Sequence, residues 1–259
     1  MSNHDDGKRE IPMRLGVKLA AFVLLILAGS GTFASAAEGQ KDPEALDVLN
    51  RMAAYTASMD QLVIKGEVFA DARLEAGLLV SNPSELTIKI DRPGSLYLEK
   101  FDGLYTMKIY IHKGSLTIFN SENNFYARAK VPESIQDAMQ FALEELDLET
   151  PLSELFFADS ALALMMDQDT LLYLTDKSRI RGVDCHHIAV RGAEIDLQLW
   201  VEEGESPAPR KISMTMKWEG GSPRHTALME WSGADGLDPK VFEFEAPEGA
   251  QEIKFFGSD

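Results

Sequence analysis

The stretch LTIKIDRPGSLYLEKFDGLYTMKIYI, residues 86–111, decides the fold. Apolar side chains alternate with more polar ones in three runs, and Arg92-Pro93-Gly94 and Asp102-Gly103 separate these runs. A period of two predicts half-buried strands, and pairs that contain glycine or proline predict tight turns. The stretch therefore predicts three consecutive strands of an antiparallel meander.

The same alternation continues on both sides of this stretch. It begins with Leu62, Ile64 and Val68 and resumes after the turn at Lys113-Gly114. Two short strands, Leu116–Phe119 and Phe125–Ala129, follow that turn. Further strands are predicted at Leu171–Thr175, Cys185–Val190, Ile195–Val201, Ile212–Trp218, Ala227–Trp231, Val241–Phe244 and Ile253–Phe256.

Helical periodicity appears before the meander and in the middle of the chain. Asp42-Pro43-Glu44 is typical of a helix start, and the apolar spacing that follows predicts a helix over roughly residues 43–58. A second helical block follows Pro132, and its apolar residues run from Ile135 to Leu146 with a period of about 3.6. Two shorter helices are predicted at Pro151–Phe157 and Ala161–Met166. Since neither a linker nor a repeat divides the strands, we expect one α+β domain over residues 37–259, with helices on one face of a long antiparallel sheet.

The first 36 residues have the pattern of a secretory signal peptide. Basic residues precede a 10-residue apolar run at 19–28, and Ala34-Ser35-Ala36 supplies a small-x-small cleavage site. The run is about half the length that a membrane-spanning helix needs. We therefore expect cleavage near Ala36, a periplasmic location and no transmembrane segment afterwards. Both Met1 and Met13 remain candidate starts, because acidic residues before Met13 fit a signal peptide poorly.

Composition excludes several classes of function. The chain has 25 Lys and Arg against 42 Asp and Glu, a net charge of −17, which disfavours binding to nucleic acid. Its one cysteine, Cys185, excludes an intramolecular disulfide and a CxxC-type metal site. The cluster Cys185-His186-His187 has metal-binding side chains, but neighbours on a strand point to opposite faces. We predict no metal, no cofactor and, since nucleophile elbows and phosphate loops are absent, no enzyme.

The informative feature is a set of methionine and tryptophan side chains on predicted strands. Methionine is flexible and adapts to varied apolar ligands. Each of these residues alone is compatible with an ordinary core, whereas together they predict the lining of an apolar cavity between sheet and helices. The predicted lining residues are Met107, Ile109, Met165, Met214, Met216, Trp218, Met229 and Trp231.

Several stretches carry a resemblance to a known family. They are Gly182–Ala189, Asp196–Val201 and Pro209–Ile212, together with Asp42-Pro43-Glu44-Ala45 and the hairpin Gly114–Tyr126. The chain resembles a family of bacterial predicted periplasmic proteins of unknown function over nearly all of residues 42–256. That family is similar in architecture to the lipoprotein carriers of the bacterial envelope, with a LolA/LolB-like fold. The resemblance implies a strongly curved antiparallel sheet, an incomplete β-barrel, closed by helices over a cavity for acyl chains.

Three hypotheses follow. The preferred one is an exported, non-enzymatic protein that binds a hydrophobic ligand, such as a lipid or a lipoprotein acyl chain, between sheet and helices. The alternative is an envelope interaction or regulatory module that docks a protein partner, for which the acidic surface favours a basic one. A metal-dependent enzyme that uses Cys185 and the histidines is the least supported, since no third ligand is identifiable.

Overall fold

The computed structural model describes residues 41–146, 148 and 170–255. The first α-helix, α1, spans Pro43–Ala57, the second, α2, spans Ile135–Leu146, and a short 3-10 helix spans Pro239–Phe242. The strands are β1 Gln61–Arg73, β2 Leu79–Asp91, β3 Ser95–Phe101, β4 Thr106–His112, β5 Ser115–Asn120, β6 Phe125–Lys130, β7 Leu171–Leu174, β8 Ser178–Ile180, β9 Val183–Arg191, β10 Ile195–Glu202, β11 Pro209–Met216, β12 Arg224–Gly233 and β13 Gln251–Ile253.

The described strands form one continuous sheet in the order β13-β6-β5-β4-β3-β2-β1-β12-β11-β10-β9-β7, and β8 pairs with β9. Neighbouring strands are antiparallel, except that β13 runs parallel to β6. Within the described residues β13 and β7 do not pair with each other, so the sheet stays open. The predicted fold class, mainly β with helices on a strongly curved antiparallel sheet, is confirmed.

The sequence explains why α1 begins where it does. The Asp42 carboxylate accepts a hydrogen bond from the Glu44 N–H at 2.9 Å, and Pro43 occupies the first turn, where no N–H is needed. The Asp42 N–H donates to the Leu172 carbonyl at 3.0 Å, and its carboxylate also accepts from the Leu174 N–H at 3.3 Å. These bonds fix the start of α1 to the edge strand β7.

Alternate residues of each strand face opposite sides of the sheet. We call the side on which α1 and α2 pack the inner face, and the opposite side the outer face. Ile64, Ile88, Leu98 and Ile109 lie side by side across four strands of the inner face, and all are at most 1% exposed. They share one apolar cluster with α1 and α2, including Leu49 of α1. The inner face is therefore the main core of the described chain.

Several predicted elements need correction. Val241–Phe244, predicted as a strand, is not one: Val241 and Phe242 end the 3-10 helix, and the next two residues follow it without strand pairing. The helix begins here because the Asp238 carboxylate accepts from the Lys240 N–H at 3.0 Å and Pro239 follows it. The strand predicted at Ile212–Trp218 begins and ends earlier, at Pro209 and Met216. The last described strand is Gln251–Ile253, so Lys254 and Phe255 lie beyond it, and Phe256 of the predicted strand lies outside the described residues. The helices predicted at Pro151–Phe157 and Ala161–Met166 lie outside the described residues.

Candidate functional site

Most of the predicted lining residues lie on the inner face. Ile109 and Met229 are buried there, at 0% and 3% exposure. Met107, Met214 and Trp231 are half-buried and pack against the same apolar cluster. Met216 is 2% exposed and follows Ile212 and Met214 at two-residue spacing on β11, so it faces the same side. Strands β4, β11 and β12 thus bring six of the eight predicted residues to one side of the sheet.

The other two predicted residues are Trp218 and Met165. Trp218 lies beyond β11 and is 39% exposed, because the chain turns back at Glu219, whose carbonyl accepts from the Ser222 N–H at 2.9 Å. The prediction that Trp218 continues the strand is therefore wrong. Met165 lies outside the described residues.

One row of neighbouring residues across the inner face contains apolar side chains, one charged side chain and one glycine. It runs from Met107 through Lys100, Leu86 and Gly66 to Met229, on strands β4, β3, β2, β1 and β12. A Cβ atom at Gly66 would lie 2.6 Å from the Leu228 carbonyl oxygen, so only glycine fits there without a shift. The row therefore keeps a position without a side chain beside the flexible Met229.

Lys100 is the unexpected member of this row. Its half-buried side chain stands on the apolar face between Leu86 and Met107. No carboxylate within the described ranges lies within ion-pair distance of its ammonium group. A cation on an apolar surface is costly unless it is solvated or paired, so Lys100 offers a contact for an anionic or polar group.

A second titratable group, His225, lies on the same face. It stands opposite Met214 on one side and Ala70 on the other. Burial lowers the pKa of His225, the nearby carboxylates of Glu219 and Asp71 oppose this shift, and the charge of Lys100 adds to it. His225 is therefore held toward the neutral form, in which its imidazole both donates and accepts hydrogen bonds.

Exposed apolar side chains mark one end of the sheet. They lie at or near three chain reversals: the β1–β2 hairpin, the β3–β4 hairpin and the β11–β12 turn. Leu104 and Leu78 are 80% and 61% exposed. We call this group the apolar rim; its members are Leu74, Leu78, Phe101, Leu104, Tyr105 and Trp218. Because all three reversals are at the same end of the sheet, the rim borders the end where Lys100, Met107 and His225 lie.

Sequence reasoning missed Lys100, His225 and the rim, although signals for two of them were present. In the run Leu96, Leu98, Lys100 the charge occupies an apolar position of the alternation. The turns LEAGL (residues 74–78) and DGLY (residues 102–105) carry large apolar residues where turns are normally polar. His225 has no such signal, because its burial depends on neighbouring strands.

The Cys185-His186-His187 strand places Cys185 and His187 on the outer face and His186 on the other, as predicted. The His187 ring stacks on Trp200 with centroids 4.3 Å apart, and its Nε2 is 3.1 Å from Gln198 Oε1. Burial lowers the pKa of His187 and raises the pKa of the Cys185 thiol. Within the described ranges, no three His, Cys, Asp or Glu side chains come together as a candidate metal site.

None of the helices in the described part of the chain is long and apolar enough to cross a membrane. Among solved structures, the chain is similar to the lipoprotein LppX of Mycobacterium tuberculosis, with 9% identity, 76% of this chain and 100% of that chain covered, and a TM-score of 0.45. It is also similar to LprF of Mycobacterium bovis, with 10% identity, 78% of this chain and 98% of that chain covered, and a TM-score of 0.47. A LolA superfamily protein of Nitrosomonas europaea is similar with 10% identity, 77% of this chain and 97% of that chain covered, and a TM-score of 0.33.

No curated protein matches the chain in sequence. A family model described as "Predicted periplasmic protein (DUF2092)" matches residues 45–256. The match covers α1 from Ala45 onward and every described strand.

Proposed function

Since the chain belongs to this family of predicted periplasmic proteins, we propose that it is an exported, non-enzymatic protein that binds the acyl chain of a lipid or lipoprotein against its inner face. The observation that carries the proposal is the position of Lys100 between Leu86 and Met107 on a mainly apolar surface, with no ion pair to a carboxylate among the described residues. An amphiphile satisfies both parts of this surface, because its chain covers the apolar residues and its headgroup contacts the ammonium.

The apolar part of the site supplies the affinity. Burial of about 200–400 Å² of acyl-chain surface, at ~25 cal/mol per Å², contributes roughly 5–10 kcal/mol. Ordering of the chain and loss of translational freedom remove part of this, which leaves affinities around the micromolar range. Met107, Met214 and Met229 suit such a ligand because their unbranched side chains adjust to chains of different length.

The apolar rim gives the ligand a route to the inner face. Exposed side chains such as Leu78 and Leu104 cover part of an acyl chain while it leaves a membrane or a partner. The rim lies at the same end as Lys100 and His225, so the headgroup stays near solvent while the chain extends inward. Cleavage near Ala36 and release into the periplasm are part of the proposal.

Titration of lipid-stripped protein with palmitate and with hexadecanol tests the proposal. The two probes share a 16-carbon chain and differ in the charge of the headgroup. We expect both to bind, and Lys100→Gln to weaken palmitate roughly tenfold while leaving hexadecanol within about twofold. Lys108→Gln is the matched control, because Lys108 lies on the outer face and pairs with Glu99 at 3.1 Å.

Absence of saturable binding of either probe would contradict the proposal and favour the docking of a protein partner. If Lys100→Gln and Lys108→Gln weakened palmitate binding equally, this would also contradict the proposal, because a charge on the outer face would then affect binding as strongly as the charge on the inner face. Native mass spectrometry of protein purified from its own envelope adds a second readout, with a lipid-sized mass increment as the expected result.

A further inference from the structure

The outer face carries a segment that the predicted function does not use. We call residues 238–244 the strap; it crosses β3 and β4 on the outer face. Phe242 of the strap is 1% exposed, and the Phe244 ring centroid lies 5.1 Å from that of Tyr126 and 5.4 Å from that of Tyr110. These ring contacts hold the strap against the sheet, on the side opposite the proposed lipid site.

A cavity of about 320 Å³ lies between the strap and strands β4–β6. Its floor includes Tyr110, Thr117 and Arg128, which stand side by side on three neighbouring strands, and Ser115 lies in the next row. Phe242 and Phe244 contribute apolar wall. The volume is at the lower end of the range for small-molecule sites.

The polar groups of this cavity have unused hydrogen-bonding capacity. Among the described residues, the hydroxyls of Tyr110, Ser115 and Thr117 have no hydrogen-bond partner, although Thr117 is only 5% exposed. His112 accepts or donates at Nδ1 to Ser95 Oγ, 2.8 Å away, and its Nε2 is buried without a partner. Buried polar groups are normally satisfied, so the buried His112 Nε2 in the lining of this cavity calls for a ligand. The hydroxyls of the exposed Ser115 and the half-buried Tyr110 are available to the same ligand.

The charges favour an anion. The Arg128 guanidinium lies 5.0 Å from the Tyr126 ring centroid and 5.5 Å from that of Phe244, and no carboxylate within the described ranges pairs with it. Glu243, the acidic group of the lining, lies 3.9 Å from the ammonium of Lys113. The rings fix the orientation of the guanidinium without neutralising it, which leaves its N–H groups for a carboxylate or a phosphate.

We propose that this cavity binds a small organic anion, with a carboxylate or phosphate group on Arg128 and the hydroxyls of Ser115 and Thr117, and an apolar part against Phe242 and Phe244. The net charge of −17 opposes the approach of any anion, so binding depends on these local donors and not on the general field of the protein. The site lies on the other side of the sheet from Lys100, and its occupation is independent of lipid binding.

Calorimetric titration with benzoate and with phenyl phosphate at 0.15 M salt tests this proposal and separates the two anionic groups. We expect saturable binding of at least one probe, and Arg128→Gln to weaken it roughly tenfold or more. Thr117→Val, which removes a hydroxyl and keeps the shape, should weaken it a few-fold. Lys211→Gln is the control, because Lys211 lies 4.3 Å over the Trp200 ring on the outer face, away from the cavity.

Failure of both probes to bind up to about 10 mM would overturn the proposal, since that limit corresponds to less than ~3 kcal/mol of binding. Equal weakening by Arg128→Gln and Lys211→Gln would overturn it too, because a general charge effect then explains the binding. Thermal unfolding of each variant checks that the fold is kept. Neither failure affects the palmitate titration, which reports on the opposite face.

Discussion

The two faces of the sheet are built from alternate residues of the same strands and differ in how their contacts are made. The inner face packs aliphatic and methionine side chains such as Ile88, Ile109 and Met229. The outer face relies on directional contacts: the Tyr97 hydroxyl donates to Glu99 at 2.6 Å, and the Ser213 and Thr226 hydroxyls are 3.0 Å apart. Aromatic rings around Phe244 complete the outer face.

The difference shows how one alternation produces two kinds of surface. Apolar contacts have no preferred angle, so the inner face tolerates a ligand of variable shape once side chains such as Met107 move. Hydrogen bonds and ring pairs have preferred geometries, so the outer face presents donors at fixed positions. We therefore expect the inner face to bind lipids of varied shape and the outer face to bind a narrow range of anions.

Truncation in the middle of the inner face should have the largest effect. Ile109→Ala removes a side chain that is 0% exposed, and we expect the free energy of unfolding to fall by about 2–5 kcal/mol in urea denaturation. Lys108→Ala, one residue away on the outer face, should cost no more than about 1 kcal/mol, as its ion pair with Glu99 is partly solvated. Equal effects at the two positions would contradict the assignment of the faces.

Loss of one ring from the strap should have a smaller effect. Phe244→Leu removes ring pairs with Tyr110, Phe119 and Tyr126, and we expect a loss of about 1–2 kcal/mol, because each such pair contributes ~0.5–1.5 kcal/mol and Phe244 is partly solvated. Phe101→Leu is the control, since Phe101 is 37% exposed and has no ring pair in the described chain. A strap that is not held by its rings would give the same small change in both variants.

The smallest expected effect is on pH dependence. Burial lowers the pKa of His225 on the inner face and of His187 on the outer face, so the unfolded chain binds protons more readily than the folded one. The stability that this difference contributes is complete above the unfolded pKa of about 6.5 and is lost as pH falls below it toward the folded pKa. Urea denaturation of the wild type and of His225→Leu at pH 7 and pH 5 measures this effect. We expect the free energy of unfolding to fall less between the two pH values in the variant than in the wild type.

If the free energy of unfolding of His225→Leu fell between pH 7 and pH 5 as much as that of the wild type, this would contradict the burial of His225. His187→Gln extends the comparison to the outer face, where the Gln198 amide partly offsets the effect of burial. We expect His187→Gln also to reduce the loss of unfolding free energy between pH 7 and pH 5. Asp and Glu side chains titrate mainly below pH 5 and contribute little to this difference.

The sequence predicted the parts of the fold that local chemistry determines. The Asp42-Pro43 cap predicted the start of α1, and alternation predicted the meander from Leu86 to Ile111. The same Asp-Pro pattern at Asp238-Pro239 marks the 3-10 helix, whereas the pattern of Val241–Phe244 predicts a strand that the structure does not contain. The parallel pairing of β13 with β6 has no local signal, because it joins residues more than a hundred positions apart.

The candidate site was predictable to a similar degree. Period two placed Met107, Met214 and Met229 on one face, since side-chain direction in a strand is fixed by parity. The end of β11 before Trp218 depends on the turn at Glu219, and the burial of His225 depends on β1 and β11. Such features arise from tertiary contacts, which a single sequence does not reveal.

Photo-crosslinking tests the central claim, an acyl chain on the inner face, most directly. Protein is irradiated with a diazirine-bearing palmitate analogue, digested with trypsin and mapped by mass spectrometry. We predict adducts on peptides 101–108 and 225–240, which contain Met107 and Met229, and loss of labelling with excess palmitate. Labelling confined to peptide 241–254, which carries Phe242 and Phe244 of the strap, or labelling that palmitate does not displace, would contradict the account.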